Sequence, residues 1–141
     1  MANPKAYSTI NTVLKAGATL SNVAKMCKIK SYPDLGGAPE TIETTDLEDL
    51  FQTFVMGVQS NEAMEFTANY TPTDYAAVVA AIPTSGDQYY KLEFGESGAQ
   101  GSFSWQGTHA VRVTGGDVNA VREMVITVIP SSEITYTAPT P

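Results

Sequence analysis

The chain reads as a mainly β protein: a β-sandwich or partial barrel of about seven strands with one flanking α-helix, a long loop and extended terminal arms. Three observations predict this. Only 16% of the 141 residues are charged, and Thr, Ser, Gly, Ala and Tyr are abundant, which suits sheets better than long helices. Several stretches alternate apolar and polar residues with a period of two, the mark of a strand with one buried face. One stretch alone carries clear start and stop signals of a helix. The length fits a single domain over 1–141, and a chain of this size buries roughly 70% of its unfolded surface.

The elements follow in order. Prolines near both ends mark an N-terminal arm over about 1–9 and a C-terminal tail over about 138–141. A first strand is predicted over 10–15, broken by Gly17, and a second over 23–29 with poor alternation. Pro33-Asp34-Leu35-Gly36-Gly37 opens a loop that runs over about 33–61. Inside it, residues 41–45 read as strand, yet Leu47, Leu50, Phe51, Phe54 and Val55 fall at helical spacing. Thr45 and Glu48 have the spacing of a capping box. A short helix within a long excursion reconciles the two signals.

Residues 62–70 form the clearest strand, with Met64, Phe66, Ala68 and Tyr70 on one face and Ala63, Glu65, Thr67 and Asn69 on the other. The helix comes next. Thr71 is its N-cap, Pro72 its first position and Asp74 the acid favoured at the positive end of the dipole. Residues 75–82 supply its body, and Pro83 stops it. Its small apolar residues suit close packing on a sheet. Four strands follow, over 88–94, 103–113, 118–129 and 133–137. In the second of these, Phe103, Trp105, His109, Val111 and Val113 alternate with Ser104, Gln106, Thr108, Ala110 and Arg112. A glycine-rich loop spans 95–101, and Thr114-Gly115-Gly116-Asp117 reads as a hairpin turn.

The chemistry-bearing residues do not converge. One cysteine excludes an internal disulfide, and one cysteine with one histidine makes a poor zinc set. His109 lies on the apolar face of its strand, as a hydrogen-bonded core histidine does. Cys27 stands among lysines, which lower a thiol pKa, but a lone Cys and a lone His far apart make a weak nucleophile pair. It reads as a small buried thiol. Glu40, Glu43, Asp46, Glu48 and Asp49 lack the spacing of a calcium loop and read as a solvated acidic loop. No phosphate-binding glycine motif is present. No catalytic, cofactor-binding or metal-ligating residue is assigned, and no enzymatic activity or cofactor is expected.

The apolar runs fall short of the ~20 residues that span a bilayer, and residues 1–33 lack the apolar core of a signal peptide. A soluble protein made in a cytoplasm, without membrane binding, is expected. The net charge of −7 is unevenly placed. Residues 1–33 hold five lysines and no acid, while 34–141 hold three basic and fifteen acidic residues. This balance argues against tight nucleic-acid binding. The basic quarter is either a solvated face or the partner of an acidic surface on another copy.

Three stretches carry a family resemblance. They are Pro33-Asp34-Leu35-Gly36-Gly37-Ala38-Pro39-Glu40-Thr41-Ile42-Glu43-Thr44-Thr45-Asp46-Leu47, then Glu65-Phe66-Thr67-Ala68-Asn69-Tyr70-Thr71-Pro72-Thr73-Asp74-Tyr75, then Ile129-Pro130-Ser131-Ser132-Glu133-Ile134-Thr135-Tyr136. In this order and spacing the chain, over about 20–137, resembles the major tail tube proteins of long, non-contractile-tailed bacteriophages of the lambda type. It departs from their pattern over 44–60, where its apolar stripe is heavier. The resemblance implies a structural virion protein. On this resemblance six copies are expected to form a ring whose inner sheets join in one barrel, with rings stacked around the tape-measure protein. The tube later passes DNA, which does not stay bound. Related tubes of contractile tails and secretion machines share the fold. Implied partners are further copies of the chain, the tape-measure protein, and tail terminator and tail-tip proteins. The implied location is the virion tail, after assembly in the host bacterial cytoplasm.

On this reading, Asp34, Leu35, Leu47, Leu50, Phe51 and Phe54 are candidates for an inter-subunit loop. Lys25, Lys28 and Lys30 against Glu40, Glu43, Asp46, Glu48 and Asp49 are candidates for an inter-ring charge contact. Glu65, Thr67 and Asn69, with Ser104, Gln106 and Thr108, are lumen-facing candidates, being the polar faces of good strands. The alternative is a glycan- or receptor-binding β-sandwich module in which Trp105, Tyr89, Tyr90 and Tyr136 stack on sugar. A small carboxylate hydrolase ranks last, because no acidic pair has a constrained spacing.

Overall fold

The chain enters its sheet at β1 (Val13–Gly17), where Leu14 and Ala16 point inward and Lys15 outward. The structure, a computed structural model, describes residues 7–36, 39–59 and 62–139. Residues 1–6 of the expected arm, 140–141 of the tail, and 37–38 and 60–61 of the long loop therefore lie outside the described residues. After β1 come β2 (Ala24–Cys27), β3 (Ile29–Ser31), β4 (Pro39–Glu43), β5 (Phe54–Gln59) and β6 (Met64–Asn69). Helix α1 (Pro72–Ala80) precedes β7 (Gln88–Glu93), β8 (Ser102–Val113), β9 (Glu123–Pro130) and β10 (Thr135–Thr137).

Eight of these strands make one antiparallel sheet in the order β2-β1-β7-β8-β9-β6-β3, with β10 added to β8. Its two end strands, β2 and β3, are consecutive in the chain and separated by Lys28 alone. Two peptide units span at most ~7.6 Å, so the sheet must roll until its far edges nearly meet. The roll is not closed by hydrogen bonds, since β2 and β3 end the order rather than pair. The mainly β, sandwich-like partial barrel with one helix is the architecture observed.

Strand β8 belongs to both limbs of the roll. Its residues 102–107 pair with β7 and its residues 107–113 with β9. Gly107 is the switch point: an added Cβ would overlap the Ile129 carbonyl oxygen. The inner faces of the two limbs meet in the core. Leu14, Tyr90, Leu92 and Trp105 come from one limb; Met64, Phe66, Ala68, Met124, Ile126 and Val128 come from the other. The indole of Trp105 stacks between Phe66 and Tyr90, with ring centroids 6.4 and 6.1 Å away. Fully burying each such side chain contributes about 1.5–3 kcal/mol.

Helix α1 is built as its sequence dictates. The Thr71 hydroxyl accepts from the Asp74 N–H at 3.1 Å, and Pro72 takes the first turn. Such a cap stabilises by about 1 kcal/mol. The helix packs on β2 and β8, strands that are not neighbours in the sheet. Only Val78 of the helix is buried, so its contact is narrower than its small apolar residues suggest.

Several elements differ from the sequence reading. The first strand, expected over 10–15 and broken by Gly17, runs over Val13–Gly17 with Gly17 paired to Tyr89. The strand expected over 23–29 is two strands, because a bulge at Leu14–Lys15 seats both Met26 and Cys27 inside and the chain then changes edges at Lys28. The helix expected within 44–60 is absent; β4 and β5 pair as a separate antiparallel hairpin. Thr44 and Thr53 close its neck through a backbone bond of 2.8 Å and a hydroxyl pair at 2.8 Å. The tip forms one turn, in which Asp49 accepts from the Asp46 N–H and Asp46 from the Glu48 N–H, both at 2.9 Å. A helix there would have no core to pack against, and packing supplies most helical stability in proteins. The expected strand over 118–129 begins only at Glu123. Val118 and Val121 are exposed with nothing to bury against, and the hairpin turn at 114–117 is instead the start of a loop over 114–122. Asn119 takes φ 63° in it. Among the described residues these changes bring the strands from the expected seven or so to ten.

Candidate assembly surfaces

The β4–β5 hairpin is largely open to water. Leu47 at its tip is fully exposed, at 106%, and Leu50 and Phe51 are 93% and 82% exposed. Along its arms Ile42 and Val55 pair on one face, while Phe54 and Met56 lie on the other, all at least half exposed. The hairpin is therefore apolar on both sides. Apolar residues this concentrated and this open mark an interaction site on a folded protein. Glu40, Glu43, Asp46, Glu48 and Asp49 ride on the same hairpin and are exposed. Of the other loop candidates, Leu35 packs against the core cluster and Asp34 is exposed. These two are apart from the hairpin tip.

The basic candidates do not form one group. Lys25 and Lys28 are exposed, whereas Lys30 is ion-paired with Glu123 of β9 within the same chain. The sequence reading missed two lysines that the register brings beside Lys25. Lys15 pairs across strands with both Lys25 and Lys91. Glu93, nearly buried, lies 3.0 Å from the Lys15 ammonium and 3.5 Å from that of Lys91. Only the strand order shows these lysines adjacent.

The lumen-facing candidates lie outside the core on two different limbs. Glu65, Thr67 and Asn69 sit on β6, where Glu65 is 3.7 Å from Arg112. Ser104 and Gln106 sit where β8 pairs with β7, and Thr108 where it pairs with β9. Ser104 is only 6% exposed, between Lys91 and Thr135 of the flanking strands. The outward faces are not uniformly acidic, since they carry Lys15, Lys91 and Arg112 beside Glu65 and Glu93.

The polar groups of the interior are structural. His109 Nε2 lies 2.9 Å from the Val78 carbonyl oxygen, which can only accept, so Nε2 carries the proton. Nδ1 then accepts from the Tyr90 hydroxyl at 2.6 Å. That hydroxyl accepts from Gln88 Nε2 at 3.0 Å, and the same amide donates to the Ala81 carbonyl at 2.8 Å. Burial holds the His109 pKa below its usual value, against the opposing bond to Val78, and burial pushes the Tyr90 phenol up to about 12. Burial, and then the Asp74 charge, push the Cys27 thiol up to about 11, although Lys25 opposes them. A thiol so placed is protonated and unreactive at neutral pH. Trp105 and Tyr90 are closed to solvent, at 2% and 0%, so the four-ring sugar platform is not formed. Among the described residues no three His, Cys, Asp or Glu side chains gather to hold a metal. No helix among them is long and apolar enough to cross a membrane.

No family model and no curated protein matches the chain. Solved structures do. A chain of an extracellular contractile injection system, from the PVC sheath/tube terminator in the extended state, superposes with a TM-score of 0.73 at 12% identity, covering 97% of this chain and 100% of that one. A chain of the PVC sheath–tube complex in the extended state gives 0.72 at 11% identity, covering 95% of this chain and 93% of that one. A chain of the six-fold symmetrised baseplate of the anti-feeding prophage gives 0.68 at 10% identity, covering the whole of both. The first two neighbours come from a contractile injection system, whereas the sequence motifs resemble non-contractile tails. Over 95–97% of its length, this chain shares its fold with chains of an extracellular contractile injection system.

Proposed function

We propose that the chain is a structural subunit of a phage-type tail tube, whose copies form six-membered rings that stack around a tape-measure protein and later pass DNA. On this reading its partners are other copies of itself and the terminator and tip proteins at the tube ends. It is assembled in the host bacterial cytoplasm and resides in the virion tail. The observation that carries the proposal is the projecting β4–β5 hairpin, apolar on both faces and open to water, on a fold shared with chains of a sheath–tube complex. A free monomer has no use for such a surface, and a heterologous contact repeated by rotation closes a ring. The rolled sheet adds to this. Its end strands β2 and β3 leave edges that an isolated β domain must otherwise protect.

Negative-stain electron microscopy of the concentrated protein, paired with light scattering, tests the proposal. Hollow tubes or stacked six-membered rings are expected. Single rings that never stack would move the chain from the shaft of a tube to one of its ends. Irregular aggregates, or a monomer that binds glycans on a screen, would overturn the tube reading.

A further inference from the structure

Three lysines stand side by side across the sheet. Lys25 of β2 is opposite Lys15 of β1, which is opposite Lys91 of β7, and residues paired across strands share a face. Like charges in direct opposition are unfavourable. One carboxylate, Glu93, answers Lys15 and Lys91. Lys25 is exposed and has no ion pair among the described residues, and Lys28 next to it is exposed as well. The outer face at this edge therefore keeps a positive surplus in a protein of net charge −7.

The hairpin is its complement. It carries five acids, and no basic residue occurs anywhere between 31 and 90. Two hairpins repel each other, so hairpin-to-hairpin contact is disfavoured. Folding back on its own body would cover only one of its two apolar faces, which leaves the other for a second molecule. We infer that the hairpin of one copy docks over the Lys25–Lys15–Lys91 row of a second copy, its acids meeting the lysines while its apolar side chains leave water. This deepens the assembly reading and rests on it. The contact joins two different patches, so it propagates from copy to copy. The lysines that matter are this row and Lys28, because Lys30 is engaged with Glu123.

A charge swap between copies tests the inference. The row variant is Lys25→Glu with Lys28→Glu, which leaves Lys15 and Lys91 to hold Glu93. The hairpin variant is Glu43→Lys, Glu48→Lys and Asp49→Lys. Circular dichroism and melting confirm that each folds. Each variant alone opposes like charges and should need about tenfold more protein to associate than the wild type. An equimolar mixture should associate like the wild type, because each hairpin then finds a row of opposite sign. Wild-type association should also weaken as salt rises. Variants that associate alone like the wild type would overturn the docking site while leaving self-assembly intact. Variants that fail alone and stay apart when mixed would place the hairpin elsewhere and overturn it too. A wild type that stays monomeric at every concentration removes both readings. Charge-dependent association without rings or tubes keeps the docking and removes the tube.

Discussion

The imidazole of His109, on β8, ties in two further elements: its Nε2–H donates to the Val78 carbonyl of α1, and its Nδ1 accepts from the Tyr90 hydroxyl of β7. Replacing His109 by Ala leaves the buried Tyr90 hydroxyl without an acceptor, at about 1–3 kcal/mol, and takes one of two bonds from the Val78 carbonyl, which keeps the Ala81 N–H; the space the ring vacates adds to the loss. His109→Ala should therefore lower unfolding stability by roughly 2–4 kcal/mol, measured by denaturant titration. The pH dependence has a definite sign. The fold holds the neutral ring and depresses its pKa below the ordinary 6.5, chiefly through burial. That stabilisation is complete above 6.5 and is lost as pH falls below it toward the folded value. Stability of the wild type should thus decline on acidification before the carboxylates titrate, below about pH 5. His109→Gln should flatten that first decline. An equal decline in the variant would show that another group sets it.

At the scale of elements, the sheet turns on β8. Gly107 pairs with Gln88 on one side and Pro130 on the other, and the Ile129 carbonyl leaves no room for a Cβ. The obstructing atom is backbone and cannot swing away as a flexible side chain could. Gly107→Ala should cost about 2–3 kcal/mol by overpacking, whereas Gly115→Ala or Gly116→Ala, with nothing near their added Cβ, should be close to neutral. Equal melting points for all three would contradict a limb switch at Gly107. This strand, β6 and α1 were legible in the sequence because each is written locally: strict alternation for the strands, and Thr71-Pro72 with Asp74 for the helix. The corner at Lys28 was not, because changing edges depends on where distant strands lie. The hairpin was misread for a related reason. Leu47, Leu50, Phe51 and Phe54 keep helical spacing, but spacing selects a helix only where a surface exists to receive its stripe. The lysine row needed the strand order, since Lys25 and Lys91 are 66 positions apart in the chain, with β3, β4, β5, β6 and α1 between β2 and β7.

At the scale of the whole molecule, folding and assembly use separate apolar surfaces. The core closes around Phe66, Tyr90 and Trp105 between the two limbs, and among the described residues none from the hairpin belongs to that cluster. Phe51 at the tip is 82% exposed and Phe54 is 53% exposed, so their removal leaves the core untouched. Surface changes away from packed features usually stay within about 0.5 kcal/mol. Phe51→Ser with Phe54→Ser should therefore melt like the wild type yet fail to form higher assemblies, as read by light scattering and electron microscopy at matched concentration. The two readouts separate the possible roles. A variant that melts much earlier would mean that the stripe belongs to the core of its own chain, and the assembly surface would have to be sought elsewhere. A variant that keeps both its melting point and its assembly would leave the apolar hairpin without a function in self-association. Loss of assembly with an unchanged melting point is the outcome that a projecting, two-faced docking arm requires, because only such an arm is fully solvated before assembly and buried after it.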